Sequence, residues 1–230
     1  MQWRDKYSFI KSESRRDYAA AMSHLDDAIG QVLKRLDSLG LRKNTIVLFM
    51  SDNGAQENWH PTSQYEGKYG PNDQLGSNQP LRNYKTSNYE GAIRVPAIIS
   101  WNNNFMQAEK NHNYTSVIDV MPTFLELAAV KIPEQVEGES LTVILKEKTN
   151  EHHSIYVRGH KQESLIQRPW KLVRTRHLHA KTEFELFNVE EDPSEENNVI
   201  QQYPTIAEKM KQAIAKQFSK DAKEVNVPLR

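Results

Sequence analysis

Apolar side chains recur every three to four positions between residues 17 and 39, which predicts an amphipathic helix. Gly40 follows the last apolar position and suits the end of that helix. Residues 45–50 then form a continuous apolar run, too short for a helix, that predicts a strand with both faces covered. Because such strands usually lie inside parallel sheets, we expect the helix and strand to be the second half of a βαβ unit whose first strand precedes residue 1.

The rest of the chain divides where the apolar period changes. Residues 95–100 predict a second buried strand, and residues 116–129 predict a helix with Pro122 near its first turn. After a charged break, the pattern predicts four short strands and an amphipathic helix, at residues 155–157, 164–166, 171–175, 183–187 and 203–218. We therefore expect three parts, which are a lead-in over 1–16, an α/β domain over 17–140 and a small antiparallel α+β subdomain over 150–230.

The composition excludes several partners and chemistries. Lysine and arginine number 30, as do aspartate and glutamate, so no net field favours nucleic acid or an anionic membrane. No apolar stretch approaches the roughly 20 residues of a spanning helix, and the first residues lack the apolar core of a secretory signal. The sequence thus predicts no membrane span and leaves the compartment open. The absence of cysteine excludes disulfides, thiolate metal ligands and a cysteine nucleophile within these residues.

The first predicted strand runs directly into the turn sequence Asp52-Asn53-Gly54. In open α/β sheets ligands collect beyond the carboxyl ends of the strands, so Asp52 and Asn53 are expected at the mouth of a site. Carboxylate and amide oxygens suit Ca²⁺ or Mg²⁺, but these ions take about six ligands or more, so further ligands must come from elsewhere. The alternative is an ordinary Asx turn in which Gly54 supplies a positive φ.

A long polar and aromatic segment, residues 55–89, follows this turn and predicts a substrate-facing loop. Near its end, Lys85 is suited to hold an oxyanion as a point charge, although a lysine here is also ordinary surface chemistry. Glu90 and Arg94 are expected to pair and to fix the turn into the second strand.

Two histidines are candidates for contact with a ligand. His60 precedes a proline and is expected in extended backbone, either as a donor to a ligand or as a surface residue. The histidines of the C-terminal part are scattered without the spacing of metal ligands, and we assign surface roles to all of them except His160. His160 is kept as a candidate for a substrate pocket.

A series of ordered segments makes the chain resemble the C-terminal half of a type I, formylglycine-dependent sulfatase of arylsulfatase type. The segments are Tyr18-Ala19-Ala20-Ala21-Met22, Ser51-Asp52-Asn53-Gly54, Leu81-Arg82 with Lys85, Tyr89-Glu90-Gly91-Ala92-Ile93-Arg94-Val95-Pro96, Ile118-Asp119-Val120-Met121-Pro122-Thr123, Gly138-Glu139-Ser140-Leu141, Trp170-Lys171-Leu172-Val173 and Glu185-Leu186-Phe187-Asn188. They span nearly the whole chain.

The resemblance implies an α/β fold, namely the C-terminal part of an alkaline-phosphatase-like mixed sheet sandwiched by helices, followed by a small antiparallel α+β subdomain. It also implies hydrolysis of sulfate esters with one Ca²⁺, in preference to Mg²⁺, and a sulfated small molecule or glycan as the partner. By it, Asp52 and Asn53 match two metal ligands and Lys85 matches the lysine that contacts the sulfate. Family members work in periplasmic, secreted or lysosomal settings.

Two departures from the family pattern affect the expected activity. The N-terminal half, which carries the Cys or Ser of the C/S-x-P/A-x-R motif, is not represented, and the segment Ser12-Glu13-Ser14-Arg15-Arg16 does not match that motif. The usual Glu-Gly-Gly turn has Ala92 in its third position. We therefore expect this chain alone to be inactive and to need an N-terminal half. Two alternatives stay open, which are a phosphodiesterase or phosphatase of the same superfamily and a non-catalytic module that binds metal or sulfated glycan.

Overall fold

Two antiparallel sheets and the helices around them make up the part of the chain that the computed structural model describes, residues 2–57, 75–102, 110–146 and 154–220. The helices are α1 Gln2–Asp5, α2 Glu13–Ser38, α3 Glu90–Ile93, α4 Val120–Leu127, α5 Thr142–Lys146 and α6 Pro204–Ser219. The strands are β1 Val47–Met50, β2 Ala97–Ser100, β3 Ile155–Arg158, β4 Gln162–Gln167, β5 Trp170–Thr175 and β6 Glu183–Asn188. None of the helices within these ranges is long and apolar enough to cross a membrane.

Helix α2 confirms the first predicted helix but begins one turn earlier. Its N-terminus is set by Ser12, whose hydroxyl accepts a hydrogen bond from the Arg15 backbone N–H at 3.4 Å. The residues before it, which we expected to be a lead-in without a period, include α1, and the Arg4 guanidinium lies 2.7 Å from Asp17 on α2. No residue of α2 is buried within the described structure. The helix predicted over residues 116–129 is present as α4, with Pro122 in its first turn.

Strands β1 and β2 form a two-stranded antiparallel sheet, with Val47 opposite Ser100 and Met50 opposite Ala97. The expectation of a parallel sheet around β1 is therefore wrong for the pairing that the structure describes. The expected cover on both faces is also missing among the described residues, because 38% of the Phe49 surface on β1 and 64% of the Ile98 surface on β2 are exposed. An apolar run indicates that a strand can be buried, but it does not indicate whether the neighbouring strand is parallel or antiparallel. That direction depends on the path of the chain between β1 and β2.

The C-terminal sheet has the order β3-β4-β5-β6, each strand antiparallel to its neighbours, as the four predicted strands required. Helix α6 packs on one face through a cluster of fully buried side chains, namely Leu165, Leu172, Leu186, Ala207, Met210 and Ile214. Val173 and Phe187 on the opposite face pack against Tyr89, which immediately precedes α3. The sheet is thus attached to the segment that leads from the polar loop into β2.

Candidate functional site

The turn after β1 orders the two predicted metal ligands by local hydrogen bonds. The Asn53 backbone N–H donates to Asp52 Oδ1 at 3.0 Å, and the Asn53 side-chain amide donates to the Gly54 carbonyl at 2.9 Å. The Ser51 hydroxyl donates to the Asn53 carbonyl at 2.9 Å. Asp52 is exposed and Asn53 is partly exposed. The turn therefore presents a carboxylate and an amide at the end of a strand, as the sequence predicted.

Gly54 is needed at this turn because another backbone lies against it. Its N–H donates to the Ala92 carbonyl at 2.8 Å, and a Cβ at this position would lie 1.8 Å from the carbonyl oxygen of Gly91. The positive φ of the alternative Asx turn is absent, since Gly40 is the one glycine of the described chain with that conformation. Gly91 in turn leaves room for the carbonyl oxygens of Arg82 and Asn83, each 2.4 Å from where a Cβ would be.

Lys85 belongs to the same cluster of loops. Its backbone N–H donates to the Ala55 carbonyl at 3.0 Å, while its side chain is exposed. Asn78 joins the two segments, because its Oδ1 accepts from the Ala55 N–H at 2.7 Å and its Nδ2 donates to the Asn83 carbonyl at 2.9 Å. The structure therefore brings Lys85 to the segment that immediately follows the Asp52 turn. We name residues 51–55, 78–85 and 89–94 together the loop cluster.

Three buried charges anchor the loop cluster to the C-terminal sheet. The Lys171 ammonium on β5 lies 2.8 Å from Glu90 on α3 and 2.8 Å from Glu195, and all three side chains are almost completely buried. Glu195 also accepts the Glu90 backbone N–H at 2.6 Å. Burial raises the pKa of Glu195 despite the opposing attraction of Lys171. Arg94 lies 3.8 Å from Glu90, which confirms the expected pair, although Lys171 is the closer partner.

A second contact between the loop cluster and the sheet is built around Tyr89. The Arg82 guanidinium lies 3.9 Å from the centre of the Tyr89 ring, and its Nη1 lies 3.2 Å from Glu185 on β6. The Tyr89 hydroxyl donates to the same carboxylate. Burial, and then this hydrogen bond, raise the pKa of Tyr89 to about 12.

Comparison with known proteins identifies the protein family to which this fold belongs. The model of the family described as Sulfatase matches residues 2–130. The chain belongs to the sulfatase family. A second family model, described as N-sulphoglucosamine sulphohydrolase, C-terminal, matches residues 84–221. The predicted resemblance to sulfatases, as a C-terminal portion, is thereby confirmed.

Relatives of known name and structure agree with this assignment. N-acetylgalactosamine-6-sulfatase of Mus musculus is 34% identical over 154 residues, which are 66% of this chain and 28% of that protein. Steryl-sulfatase of Rattus norvegicus is 36% identical over 131 residues, which are 56% of this chain and 21% of that protein. The crystal structure of Ps i-CgsB superposes with a TM-score of 0.77 and 25% identity over 94% of this chain and 46% of that one. The chain thus spans less than half the length of these relatives, and the solved structures confirm the sulfatase fold.

Of the two histidine candidates in this sulfatase chain, His160 lies within the described residues. His60 lies outside the described residues. His160 is exposed in the turn between β3 and β4. That turn packs beside Asn88, the residue before segment 89–94 of the loop cluster, because a Cβ on Gly159 would lie 2.4 Å from the Asn88 side-chain oxygen. A contact between His160 and a ligand stays a prediction.

Candidate metal ligands are few among the described residues of this sulfatase chain. Within those residues no group of three or more His, Asp or Glu side chains is placed to share a metal ion. The two predicted ligands, Asp52 and Asn53, would supply two oxygens, whereas a hard cation takes about six ligands or more, so a metal ion at this turn stays a prediction.

Sequence reasoning missed the buried ion cluster. Lys171 lies in one of the segments that resemble the family, and no sequence pattern marks Glu195. The available signal was a lysine inside the apolar strand pattern Trp170-Lys171-Leu172-Val173, because a charge at such a position must find a buried partner.

Proposed function

We propose that this chain supplies the C-terminal portion of a sulfuric ester hydrolase of arylsulfatase type. The observation that carries the proposal is the loop cluster, in which the Asp52-Asn53 turn and Lys85 are joined through the Lys85 N–H to Ala55 carbonyl bond of 3.0 Å. Membership of the sulfatase family supports hydrolysis of a sulfate ester as the chemistry of this arrangement. In this proposal Asp52 and Asn53 hold a metal ion, and Lys85 contacts the sulfate.

The oxygen ligands that the turn offers favour Ca²⁺ over Mg²⁺ as the ion. Asp52 contributes a carboxylate and Asn53 an amide oxygen, and the Asn53 nitrogen is already engaged with the Gly54 carbonyl, which directs the amide oxygen away from that contact. A mixed set of carboxylate and amide oxygens in a loop suits the flexible coordination of Ca²⁺. When bound, the ion would act as a Lewis acid toward an oxygen of the sulfate ester.

Lys85 would offset negative charge on the sulfate oxygens as the S–O bond breaks. Its side chain is exposed, and its backbone is fixed to Ala55, three residues after Asp52, so the ammonium is carried beside the turn. The C/S-x-P/A-x-R motif that carries the nucleophile does not occur in this sequence, and we assign the nucleophile to an N-terminal half with that motif.

A sulfated carbohydrate is the proposed substrate class. The name of the galactosamine-6-sulfatase relative supports a sulfated sugar, whereas the name of the steryl-sulfatase relative points to a sterol ester. The amide-rich and aromatic composition of residues 55–89 favours a sugar, because amides bond sugar hydroxyls and aromatic rings stack on sugar faces. A direct comparison of sulfated sugar and sterol sulfate as substrates separates the two classes.

The test of this function uses the chain joined to an N-terminal half that carries the motif. We expect Lys85→Ala to lower turnover of an aryl sulfate by about 10² to 10³, as expected for the loss of one electrostatic contact to the transition state. Lys34→Ala, which removes an exposed lysine of α2, is the matched control and should leave turnover unchanged. Unaltered turnover in Lys85→Ala would disprove the assigned role, and preference for an aryl phosphate would favour the phosphatase alternative.

A non-catalytic binding module is the second candidate, because the sequence contains no nucleophile of the family type. Calorimetric titration of the 230-residue chain with Ca²⁺ and with sulfated oligosaccharides tests it directly. Absence of heat from both titrations would eliminate a binding module. Asp52→Asn should weaken any Ca²⁺ binding that is observed, since it removes the one carboxylate of the turn.

A further inference from the structure

Two turns at one end of the C-terminal sheet carry basic side chains and no acidic ones. They are residues 159–161, between β3 and β4, and residues 176–182, between β5 and β6. The Arg176 backbone N–H donates to the Lys161 carbonyl at 2.8 Å, so the two turns lie side by side. We call these two segments together the basic turns, and their basic members are His160, Lys161, Arg176, His177, His179 and Lys181.

The two lysines of the basic turns are exposed and are not neutralised by a close carboxylate. Within the described ranges, neither Lys161 nor Lys181 has an acidic side chain at ion-pair distance. The acidic residues nearest to them in sequence are Glu163, which is completely buried, and Glu183, which lies 3.4 Å from His177. Acidic and basic residues are equal in number over the whole chain, so the excess of positive charge is local to this surface. Such a surface attracts an anionic ligand.

The first of the basic turns lies against the segment that follows Lys85. A Cβ on Gly159 would lie 2.4 Å from the Asn88 side-chain oxygen, and the Asn88 side-chain amide donates to the Val157 carbonyl at 2.9 Å. The Asn88 backbone N–H donates to Gln162 Oε1 at 3.0 Å. Asn88 follows Lys85 by three residues, so their Cα atoms are at most about 11 Å apart. The basic turns therefore border the loop cluster.

We propose that the basic turns bind a further sulfate group of a polysulfated glycan whose reacting sulfate ester lies at the loop cluster. This assignment rests on the proposed function, in which Lys85 contacts that ester. Lys161 and Lys181 would supply the charge, since each ammonium is a compact point charge with three hydrogen-bond donors. Arg176 is not counted with them, because its guanidinium already lies 3.9 Å from the buried Glu163 carboxylate.

The layout of the basic turns suits a ligand with several charges better than a single small ion. Lys161 and Lys181 are carried on different turns, so they match sulfate groups that are spaced along a glycan. Leu178, which is 92% exposed, lies between His177 and His179 in the sequence. An apolar side chain of this kind packs on the C–H face of a sugar ring, and an imidazole beside it bonds sugar hydroxyls.

A contact at the basic turns would change which substrates the enzyme prefers. Once one sulfate group is held there, the glycan has a higher effective concentration at the loop cluster. The basic turns would touch no reacting atom, so they would act on glycan binding and not on cleavage of the S–O bond. We therefore expect glycans with several sulfate esters to be preferred over esters with one.

The first measurement is direct binding to the 230-residue chain in the presence of EDTA, which removes any contribution from the proposed Ca²⁺ site. The probes are a hexasaccharide with several sulfate esters, the same hexasaccharide after chemical desulfation, and an unsulfated hexasaccharide of uronic acids. We expect saturable binding of the sulfated probe alone, weakened about tenfold when Lys161→Gln and Lys181→Gln are combined. Lys34→Gln combined with Lys209→Gln, at exposed positions of α2 and α6, is the matched control and should bind as the parent chain does. Far-UV circular dichroism of each variant establishes that the fold is retained.

The second measurement uses the chain joined to an N-terminal half that carries the motif. The combined change of Lys161 and Lys181 should raise KM for the sulfated hexasaccharide about tenfold and leave its kcat unchanged. Both constants for a small aryl sulfate should stay as in the parent, because that ester has no further sulfate group to contact the basic turns.

Absence of saturable binding of the sulfated probe, equal binding of the desulfated or uronic acid probe, or an equal loss in the control pair would overturn the proposal. A raised KM for the aryl sulfate would also overturn it, because the lysines would then act on the reacting ester or on the fold. Since the binding measurement needs neither metal nor nucleophile, it can fail while the proposed hydrolase function holds. Binding can equally succeed in a chain whose joined enzyme prefers an aryl phosphate.

Discussion

At the scale of single residues, the contact between Gly54 and Gly91 leaves no room for a side chain. A Cβ on residue 54 would lie 1.8 Å from a backbone carbonyl oxygen, so the two segments could not keep their present separation. Backbone displaced here would move the Asp52 turn away from α3, because the hydrogen bond from the Gly54 N–H to the Ala92 carbonyl holds the two together.

Gly54→Ala is therefore expected to destabilise the chain by about 3 kcal/mol or more, as overpacking against rigid backbone does. Gly30→Ala is the matched control, because nothing lies within 4 Å of a Cβ at that position in the middle of α2. It should stabilise by roughly 0.5 to 1 kcal/mol through helix propensity. Urea unfolding measures both, and an equal effect of the two substitutions would contradict the contact.

Tyr89 makes stability depend on pH in the alkaline range. Its pKa is raised to about 12 in the folded chain from an unperturbed value of 10.0, so between these pH values the unfolded chain has lost a proton that the folded chain keeps. The unfolded state then binds fewer protons, and the free energy of unfolding falls as the pH rises from 10 to 12.

Tyr89→Phe removes this dependence together with the hydrogen bond to Glu185. We expect the variant to be less stable than the parent by roughly 1 to 3 kcal/mol at pH 8, and the difference to shrink above pH 10. Tyr203→Phe, at an exposed position, should show neither effect. Denaturant unfolding at pH 8, 10 and 11 is the measurement, and a constant difference across that range would refute the role of Tyr89 ionisation.

At the scale of elements, one lysine joins α3 to β5 and to the segment after β6. Lys171 is completely buried, and its ammonium is the positive charge between Glu90 and Glu195. Without it two carboxylates would face each other in a site closed to water, because the Glu195 carboxylate also bonds the Glu90 backbone. The position of α3, and with it the loop cluster, depends on this charge.

Lys171→Met should consequently cost about 3 to 5 kcal/mol, the range expected when one partner of a buried ion cluster is removed. Lys211→Met tests the same change on α6, where the ammonium makes a partly exposed pair with Glu208, and it should cost less than about 1 kcal/mol. Adding Glu195→Gln to Lys171→Met should recover part of the loss by removing one buried charge. If the two single lysine variants were equally stable, the anchoring role would be wrong.

At the scale of the whole molecule, much apolar surface is exposed in the described chain. The exposed side chains lie on α2, on the sheet formed by β1 and β2 and at the start of α4, and they include Val32, Ile98, Val117 and Met121, each more than half exposed. Surface of this kind is normally covered by another polypeptide. The chain matches less than half the length of its relatives, so we propose that the N-terminal half of the sulfatase fold is the covering partner.

The 230-residue chain alone is accordingly expected to bind an apolar dye such as ANS, to self-associate and to show no turnover of an aryl sulfate. Ile98→Gln should reduce dye binding, and the N-terminal half added in trans should suppress it further. Dye fluorescence and light scattering follow these effects. A monomeric chain that binds no dye and hydrolyses the sulfate ester would contradict both the partner and the missing nucleophile. The division into residues 17–140 and 150–230 stays a prediction at this scale.

The sequence by itself determined the elements whose signal is local. The period of three to four predicted α2 and α6, and the alternation of apolar residues predicted β3 to β6, because each pattern reflects burial of one face along a short stretch. The turn of Asp52 and Asn53 at the end of a strand was visible for the same reason. Ordered family segments then identified the sulfatase fold.

Tertiary structure alone decided the contacts between distant residues. The antiparallel pairing of β1 with β2, the approach of Gly91 to Gly54 and the partners of Lys171 all join segments far apart in the chain. Glu90 and Lys171, for example, are 81 positions apart. No local period encodes such pairs, since their stability comes from geometry and burial that exist only after the segments meet. The loop cluster is therefore a property of the folded chain.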